Sequence, residues 1–210
     1  MGIGKKMNEQ EKFWSGKFGD GYISRSSQIK LIKNNMFLFK NILKKNKKSI
    51  KSLIEFGPNV GNNIFALKKI LTKLKKISVV EINKKACTKL STNFKNIEII
   101  NTSVLKFVPK KKFDLVLVKG VLIHSNPKDL NKFYKVLFNS TKKYILLAEY
   151  YSPTPVKVKY RGHRNKLFKR DFAGELLKKY KKLKLVDYGF AYRRDKYPQD
   201  DLTWFLLSKK

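Results

Sequence analysis

The sequence predicts a single α/β domain on a mostly parallel sheet of seven strands with an antiparallel final strand. Three observations predict it. Between residues 29 and 150, short apolar runs of strand length alternate with segments of helical spacing. The segments between those runs are long enough for helical crossovers, which are right-handed and leave neighbouring strands parallel. Near the end, two more apolar runs are joined by the polar "RRDKYPQD", so they pair antiparallel.

In chain order, Ile29, Ile32, Met36, Phe39 and Leu43 fall near helical spacing and form one amphipathic helix. "KSLIEF" follows as a short buried strand, and "VGNNIFALKKILTKL" as a helix with Ile64, Leu67, Ile70, Leu71 and Leu74 on one face. "ISVVEI" is the second strand, and "NKKACTKLSTNF" the next helix, with Asn83 as its N-cap. "IEII" and "FDLVLVKG" are the third and fourth strands. "NPKDLNKFYKVLFNS" is a helix opened by Pro127, and "KYILLAEY" is the fifth strand. Then the rhythm changes. "YSPTPVKVKYRGHRNKLF" reads as a loop too long for a connector, which in a compact domain suits binding or a lid. A helix "KRDFAGELLKKY" and the strands "LKLVDYGFAY" and "DLTWFLLSK" complete the domain. The expected organisation is an N-terminal lid segment over 1–28 and the main domain over 29–210, with a substrate-binding loop at 150–172.

Composition narrows the setting. A hydrophobic share of 42%, with 15 Phe, 10 Tyr and 2 Trp, suits a packed core. No apolar run approaches the ~20 residues of a membrane-spanning helix, the N-terminus lacks an apolar signal core, and Lys6 spoils a myristoylation pattern. One cysteine cannot form an internal disulfide, so a cytoplasmic location with no membrane partner is expected. The net charge of +34 would draw nucleic acid. Yet only 6 of the 49 basic residues are Arg, the lysines are spread along the chain, and Lys, Asn and Ile are the residues of AT-rich codons. Charge therefore leaves a nucleic-acid partner and compositional drift both open.

The motif that carries chemistry is "LIEFGPNVGN". In an open α/β sheet the ligand crevice lies outside the C-terminal ends of the strands, so the first strand delivers Gly57 to Gly61 beneath a ligand. Twenty residues past Gly61, at the end of the second strand, Glu81 is placed to accept hydrogen bonds from a ribose diol. A dinucleotide would want G-x-G-x-x-G, but Asn59 and Ile64 break that pattern and Pro58 removes an N–H from the phosphate nest. S-adenosylmethionine (SAM) has a ribose and no phosphate, so the looser E-x-G-x-x-x-G of Glu55, Gly57 and Gly61 suffices. A plain Gly-Pro turn in an ordinary βα unit is the alternative.

On these residues the chain resembles the class I SAM-dependent methyltransferases, which implies a Rossmann-like fold. The resemblance places Ser103 beside the adenine region, where an acid is usual, and sets Lys119 and the segment "VLIHSNP" facing the reacting methyl group. "EQEKFWSGKFGDGYISRS", "KGVLIHSNP", "EYYSPTPVKVKYRGH", "LFKRDFAGELL" and "DDLTWFLL" together look like the methyltransferases associated with pseudaminic acid biosynthesis. That likeness implies as substrate a small anionic sugar, free or as a nucleotide-sugar, methylated at oxygen or nitrogen.

Methyl transfer needs positioning and removal of a proton from the acceptor. His124, just past the fourth strand, is the candidate base; a loop histidine bonded to backbone is the bland alternative. Trp14 and Tyr22 could cover the cofactor and Arg25 pair with its carboxylate, although Phe13 and Trp14 would equally suit a helix packed on the sheet. Tyr150 and Tyr151, ending the fifth strand, lie where an acceptor would sit, with Tyr151 as the second catalytic candidate. Arg161, His163, Lys169 and Arg170 would meet an anionic acceptor, unless they are a solvated basic loop. No metal site is expected from the spacing of the acids and two histidines. Competing readings are an RNA methyltransferase and a non-catalytic nucleic-acid-binding module.

Overall fold

The computed structural model describes residues 6–26 and 29–210, so residues 1–5, 27 and 28 of the expected lid segment lie outside the described residues. Its main sheet has seven strands, in the order β3-β2-β1-β4-β5-β9-β8. β1 (Ser52–Phe56), β2 (Lys76–Glu81), β3 (Glu98–Asn101), β4 (Phe113–Lys119) and β5 (Thr141–Glu149) are parallel. β9 (Leu202–Lys209) runs antiparallel between β5 and β8 (Leu183–Ala191), so the final strand is inserted and β8 forms the edge. β4 is buried through Val118, as a central strand covered on both faces should be.

Helices cover both faces because each carries one apolar stripe. On one side lie α6 (Leu130–Ser140) and α7 (Phe172–Lys179), packing Phe133, Leu137, Phe172 and Leu176 against Val116, Val118 and Leu147. On the other lie α3 (Ile29–Ile42), α4 (Asn62–Ile70) and α5 (Lys84–Asn93), packing Phe39, Ile64, Leu67 and Leu90 against Leu53, Val79 and Leu115. Asn83 caps α5 as expected, its side chain accepting from the Ala86 amide at 2.9 Å.

Two segments differ from the sequence reading. The expected lid holds two helices, α1 (Glu9–Ser15) and α2 (Lys17–Ser26). α1 opens with a capping box in which Asn8 accepts from the Glu11 amide and the Glu11 carboxylate accepts from the Asn8 amide. The expected loop over 150–172 is corrected to a hairpin of β6 (Val156–Tyr160) and β7 (His163–Lys169). Its turn residues, Arg161 and Gly162, have φ of 47° and 84°, the positive pair of a two-residue turn that matches strand twist.

The register sets the site. Phe56 stands beside both Val80 and Val118, so Gly57, Glu81 and Lys119 leave the sheet at one level. The order of connections reverses between β1 and β4, and the crevice opens there.

Candidate functional site

Above those strand ends is a cavity of about 650 Å³, in the size range of small-molecule sites. Its floor is the loop from β1 to α4. Gly57 (φ 71°) and Asn59 (φ 50°) turn this loop tightly. A Cβ on Gly57 would come within 2.6 Å of Val121, so only glycine lets the loop after β1 lie against the segment after β4.

Glu81 lines the cavity and joins two loops, its Oε2 accepting from the Asn59 amide at 3.0 Å and its Oε1 from the Asn83 amide at 2.8 Å. Burial raises its pKa, opposed by these backbone donors. Beneath, Glu55 is buried, with Oε1 accepting from Asn63 Nδ2 at 2.6 Å and Oε2 without a partner among the described residues. Burial pushes its carboxyl up to about 7. Asn63 in turn accepts from Asn35, which accepts from Gln199, so amides link β1 to the loop before β9.

Lys119 lines the cavity with Glu55, Glu149 and Asp200 around it; burial lowers its pKa and the three carboxylates oppose that. Glu149, ending β5, accepts from the amides of Val121, Leu122 and Ile123 at 3.0, 3.1 and 3.3 Å, which fixes the tight turn that follows β4. Burial raises its carboxyl to about 7 against those donors.

That turn ends at His124. Its Nδ1 lies 2.6 Å from the Lys166 carbonyl, and because a carbonyl only accepts, Nδ1 carries the hydrogen. Nε2 is left with its lone pair. The ring sits 4.7 Å from both the Trp14 and the Tyr160 rings, and burial lowers its pKa to about 4, so it is neutral at neutral pH.

α1 and α2 roof the cavity with Gln10, Glu11, Trp14 and Tyr22. Polar contacts hold the roof down. Asn83 Nδ2 donates to the Trp14 carbonyl at 3.2 Å and to Asp20 at 2.8 Å, and Lys85 pairs with Asp20 at 2.8 Å. Asn8 donates to Asp129, Gln10 to the Asn165 carbonyl, and Lys166 pairs with Glu9. Trp14 Nε1, Glu11 Oε1 and Asn59 Nδ2 are buried polar atoms without a partner among the described residues, and all three residues line the cavity. A ligand that donates and accepts would satisfy them.

Of the residues expected from the sequence, Trp14, Tyr22, Gly57, Glu81, Ser103, Lys119, His124 and Tyr150 line this cavity. The others lie elsewhere. Glu55 sits beneath it. Gly61 (φ 89°) packs against Phe94 and Leu90, where a Cβ would come within 2.4 Å of the Phe94 ring. Arg25 lies over the Phe18 and Tyr22 rings, each at 5.4 Å. Tyr150 and Tyr151 lie just past β5, where Tyr150 turns inward to donate to Asp200 and Tyr151 turns outward beside Phe205. The hairpin carries Arg161 to its exposed turn and His163 against Phe13 and Phe18. Lys169 lies over the Tyr150 ring at 5.4 Å, and Arg170 pairs with Glu175 at 2.7 Å. Sequence reasoning missed Asn35, Asn63, Glu149, Tyr160 and Gln199. Among the described residues, no group of three or more His, Cys, Asp or Glu could hold a metal ion, and no helix is long and apolar enough to cross a membrane.

No protein-family model matches the chain, and no curated protein matches it. Solved structures do share its fold. The 1,6-didemethyltoxoflavin-N1-methyltransferase of Burkholderia thailandensis, with bound 1,6-didemethyltoxoflavin and S-adenosylhomocysteine, superposes with a TM-score of 0.71 at 12% identity, over 96% of this chain and 87% of its own. The magnesium protoporphyrin IX methyltransferase of Synechocystis PCC 6803, with bound SAM, gives 0.67 at 10% identity, over 99% and 100%. The mitomycin 7-O-methyltransferase gives 0.66 at 10% identity over 92% of this chain, which spans 57% of that enzyme's length. The fold is therefore the Rossmann-like class I methyltransferase fold, as the sequence predicts.

Proposed function

We propose that the protein is a SAM-dependent methyltransferase acting on an oxygen or nitrogen of a small polar acceptor. The observation that carries this reading is one cavity lined by both Glu81, at the end of β2, and His124, whose Nδ1 is engaged by the Lys166 carbonyl. Glu81, the glycine-turned floor and Ser103 would hold the nucleoside, while Trp14 and Tyr22 cover it. When bound, SAM supplies a methyl group on a sulfonium. The chain supplies position, exclusion of water and a proton acceptor. His124 is already in the tautomer that accepts a proton at Nε2, held there by the Lys166 carbonyl. Nδ1–H stays on that carbonyl as Nε2 takes the acceptor's proton.

The finer reading follows the sequence resemblance: the acceptor is an anionic sugar of the pseudaminic acid type, free or nucleotide-linked. Trp14 Nε1, Asn59 Nδ2 and Glu11 Oε1, two donors and an acceptor near the rings of the lining, suit a polyhydroxylated molecule, and Lys30 and Lys119 are the lysines of the lining. Arg161, His163, Lys169 and Arg170 do not contribute to it, so the anionic character of the acceptor rests on fewer cations than the sequence suggests.

Calorimetric titration with SAM and S-adenosylhomocysteine, on wild type and Glu81→Ala, tests the cofactor. Micromolar binding that weakens by about 10²-fold in the variant is expected, the cost of losing charge-assisted hydrogen bonds. A wild-type protein that binds neither molecule sinks the reading. Methyl incorporation into pseudaminic-acid-type sugars, with RNA as comparator, then tests the acceptor.

A further inference from the structure

The sheet ends in a bare aromatic edge that the cavity does not use. β8 pairs with β9 on one side and with no other strand of the described residues. Of the two strands, α7 covers the end near Leu183 and Leu207, which pack with Leu176. Farther along the same face the register sets Tyr188 opposite Phe205 and Phe190 opposite Thr203. Tyr188 is 64% exposed, Phe190 60% and Tyr192 39%. The Tyr188 ring stacks on Phe205 at 6.2 Å and 17°, Tyr151 reaches Phe205 from the other side at 6.1 Å, and Phe190 lies 6.1 Å from Tyr192. Single exposed rings need no explanation, but a contiguous row of them marks an interaction surface.

Charge decides the occupant. Arg193, Arg194 and Lys196 follow Tyr192 directly and are exposed, as is Lys184 before the row. Asp201 pairs with Arg193, while Asp187 and Asp195 accept from the Tyr188 and Tyr192 amides. A second copy of the chain would bring +34 against +34. A polyanion with flat, unpaired π faces meets both features at once, its bases stacking on the rings and its phosphates on the cations. A duplex offers phosphates but keeps its bases stacked on each other.

We propose that the edge formed by β8 and β9 binds single-stranded nucleic acid through Tyr188, Phe190 and Tyr192. This surface is separate from the cavity and does not depend on the methyl-transfer reading.

Fluorescence anisotropy of a labelled single-stranded RNA of about 12 nucleotides, within the usual range of site sizes, tests it on the full chain. The same strand annealed to its complement is the comparator. In Tyr188→Ala/Phe190→Ala, whose side chains are exposed, single-strand affinity should fall by about ten-fold or more per ring. Duplex affinity and the slope of log affinity against log salt should not change, because the rings contact no phosphate. Three outcomes overturn the proposal. The wild type binds no single strand; the double variant binds it as tightly as wild type, which leaves charge alone; or sedimentation shows a wild-type dimer that the variant breaks, which assigns the face to a second copy.

Discussion

His124 can be interrogated by counting its proton. Its ring stands between Trp14 and Tyr160, and burial takes it from an ordinary 6.5 to about 4. The folded-state value is the lower one. As pH falls, the unfolded chain therefore takes up a proton that the folded chain refuses, and stability is lost between about pH 6.5 and about pH 4. At about 1.4 kcal/mol for each pH unit, the full loss is bounded at about 3.4 kcal/mol. At about pH 4.5 most of that is already expressed, about 2.5 kcal/mol, and water reaching the ring through the cavity trims it to about 2 kcal/mol. Glu55 and Glu149 act in the opposite sense: raised to about 7, they bind protons in the fold before the unfolded chain does and add stability as pH falls below that. A difference experiment removes them. His124→Asn deletes the ring and keeps a donor for the Lys166 carbonyl, while both carboxylates remain. Urea unfolding of the two proteins at about pH 7.5 and about pH 4.5 reads the result. The variant's stability deficit should shrink by about 2 kcal/mol at the lower pH. An equal deficit at both pH values would show that the ring titrates as in water and would refute the argument for its burial.

Two further perturbations address the floor and the roof. Gly57→Ala, at φ 71° with its new methyl 2.6 Å from Val121, should destabilise the fold by about 2–4 kcal/mol in urea unfolding, and adding Val121→Ala should restore the steric part of that loss. Asn83→Ala removes the α5 cap and the bonds to Trp14 and Asp20, so it should cost about 1–2 kcal/mol and speed limited proteolysis within residues 6–26; unchanged cleavage there would mean that the roof is held by other contacts.

Much of the fold was legible because it is local. Alternating strands and helices, the Asn83 cap and the arrival of Glu81 beside the Gly57 loop follow from periodicity and spacing. The roof helices also had a local sign that went unused, since Asn8 and Glu11 have the spacing of a capping box. The hairpin was hidden because its strands are rich in Lys and Arg, and a basic stretch with two prolines before it reads as loop. Other features are not local at all. Gln199 meets Asn35 across 164 residues, and no spacing rule joins them. Tyr150 and Tyr151 are adjacent in sequence, and only their distant partners, Asp200 for the first and Phe205 for the second, separate the one that lines the cavity from the one that does not. Arg161, His163 and Arg170 were grouped by sequence, whereas the hairpin and α7 send them in different directions.

Asn83 concentrates several of these dependencies in one side chain. Its amide nitrogen holds the roof, its amide oxygen caps α5, and its backbone N–H rests on Glu81. In the genetic code asparagine and lysine share their first two bases and differ only in the third, so one substitution converts one into the other. In a chain so rich in lysine, that change is among the nearest at hand. At an exposed position it would pass with little effect. At Asn83 a lysine has no oxygen to accept from Ala86, and it would set an ammonium beside Lys85 where the pair now shares Asp20. A lysine there would therefore remove the α5 cap and crowd Asp20 with a second ammonium, although it is the change an asparagine codon most readily supplies.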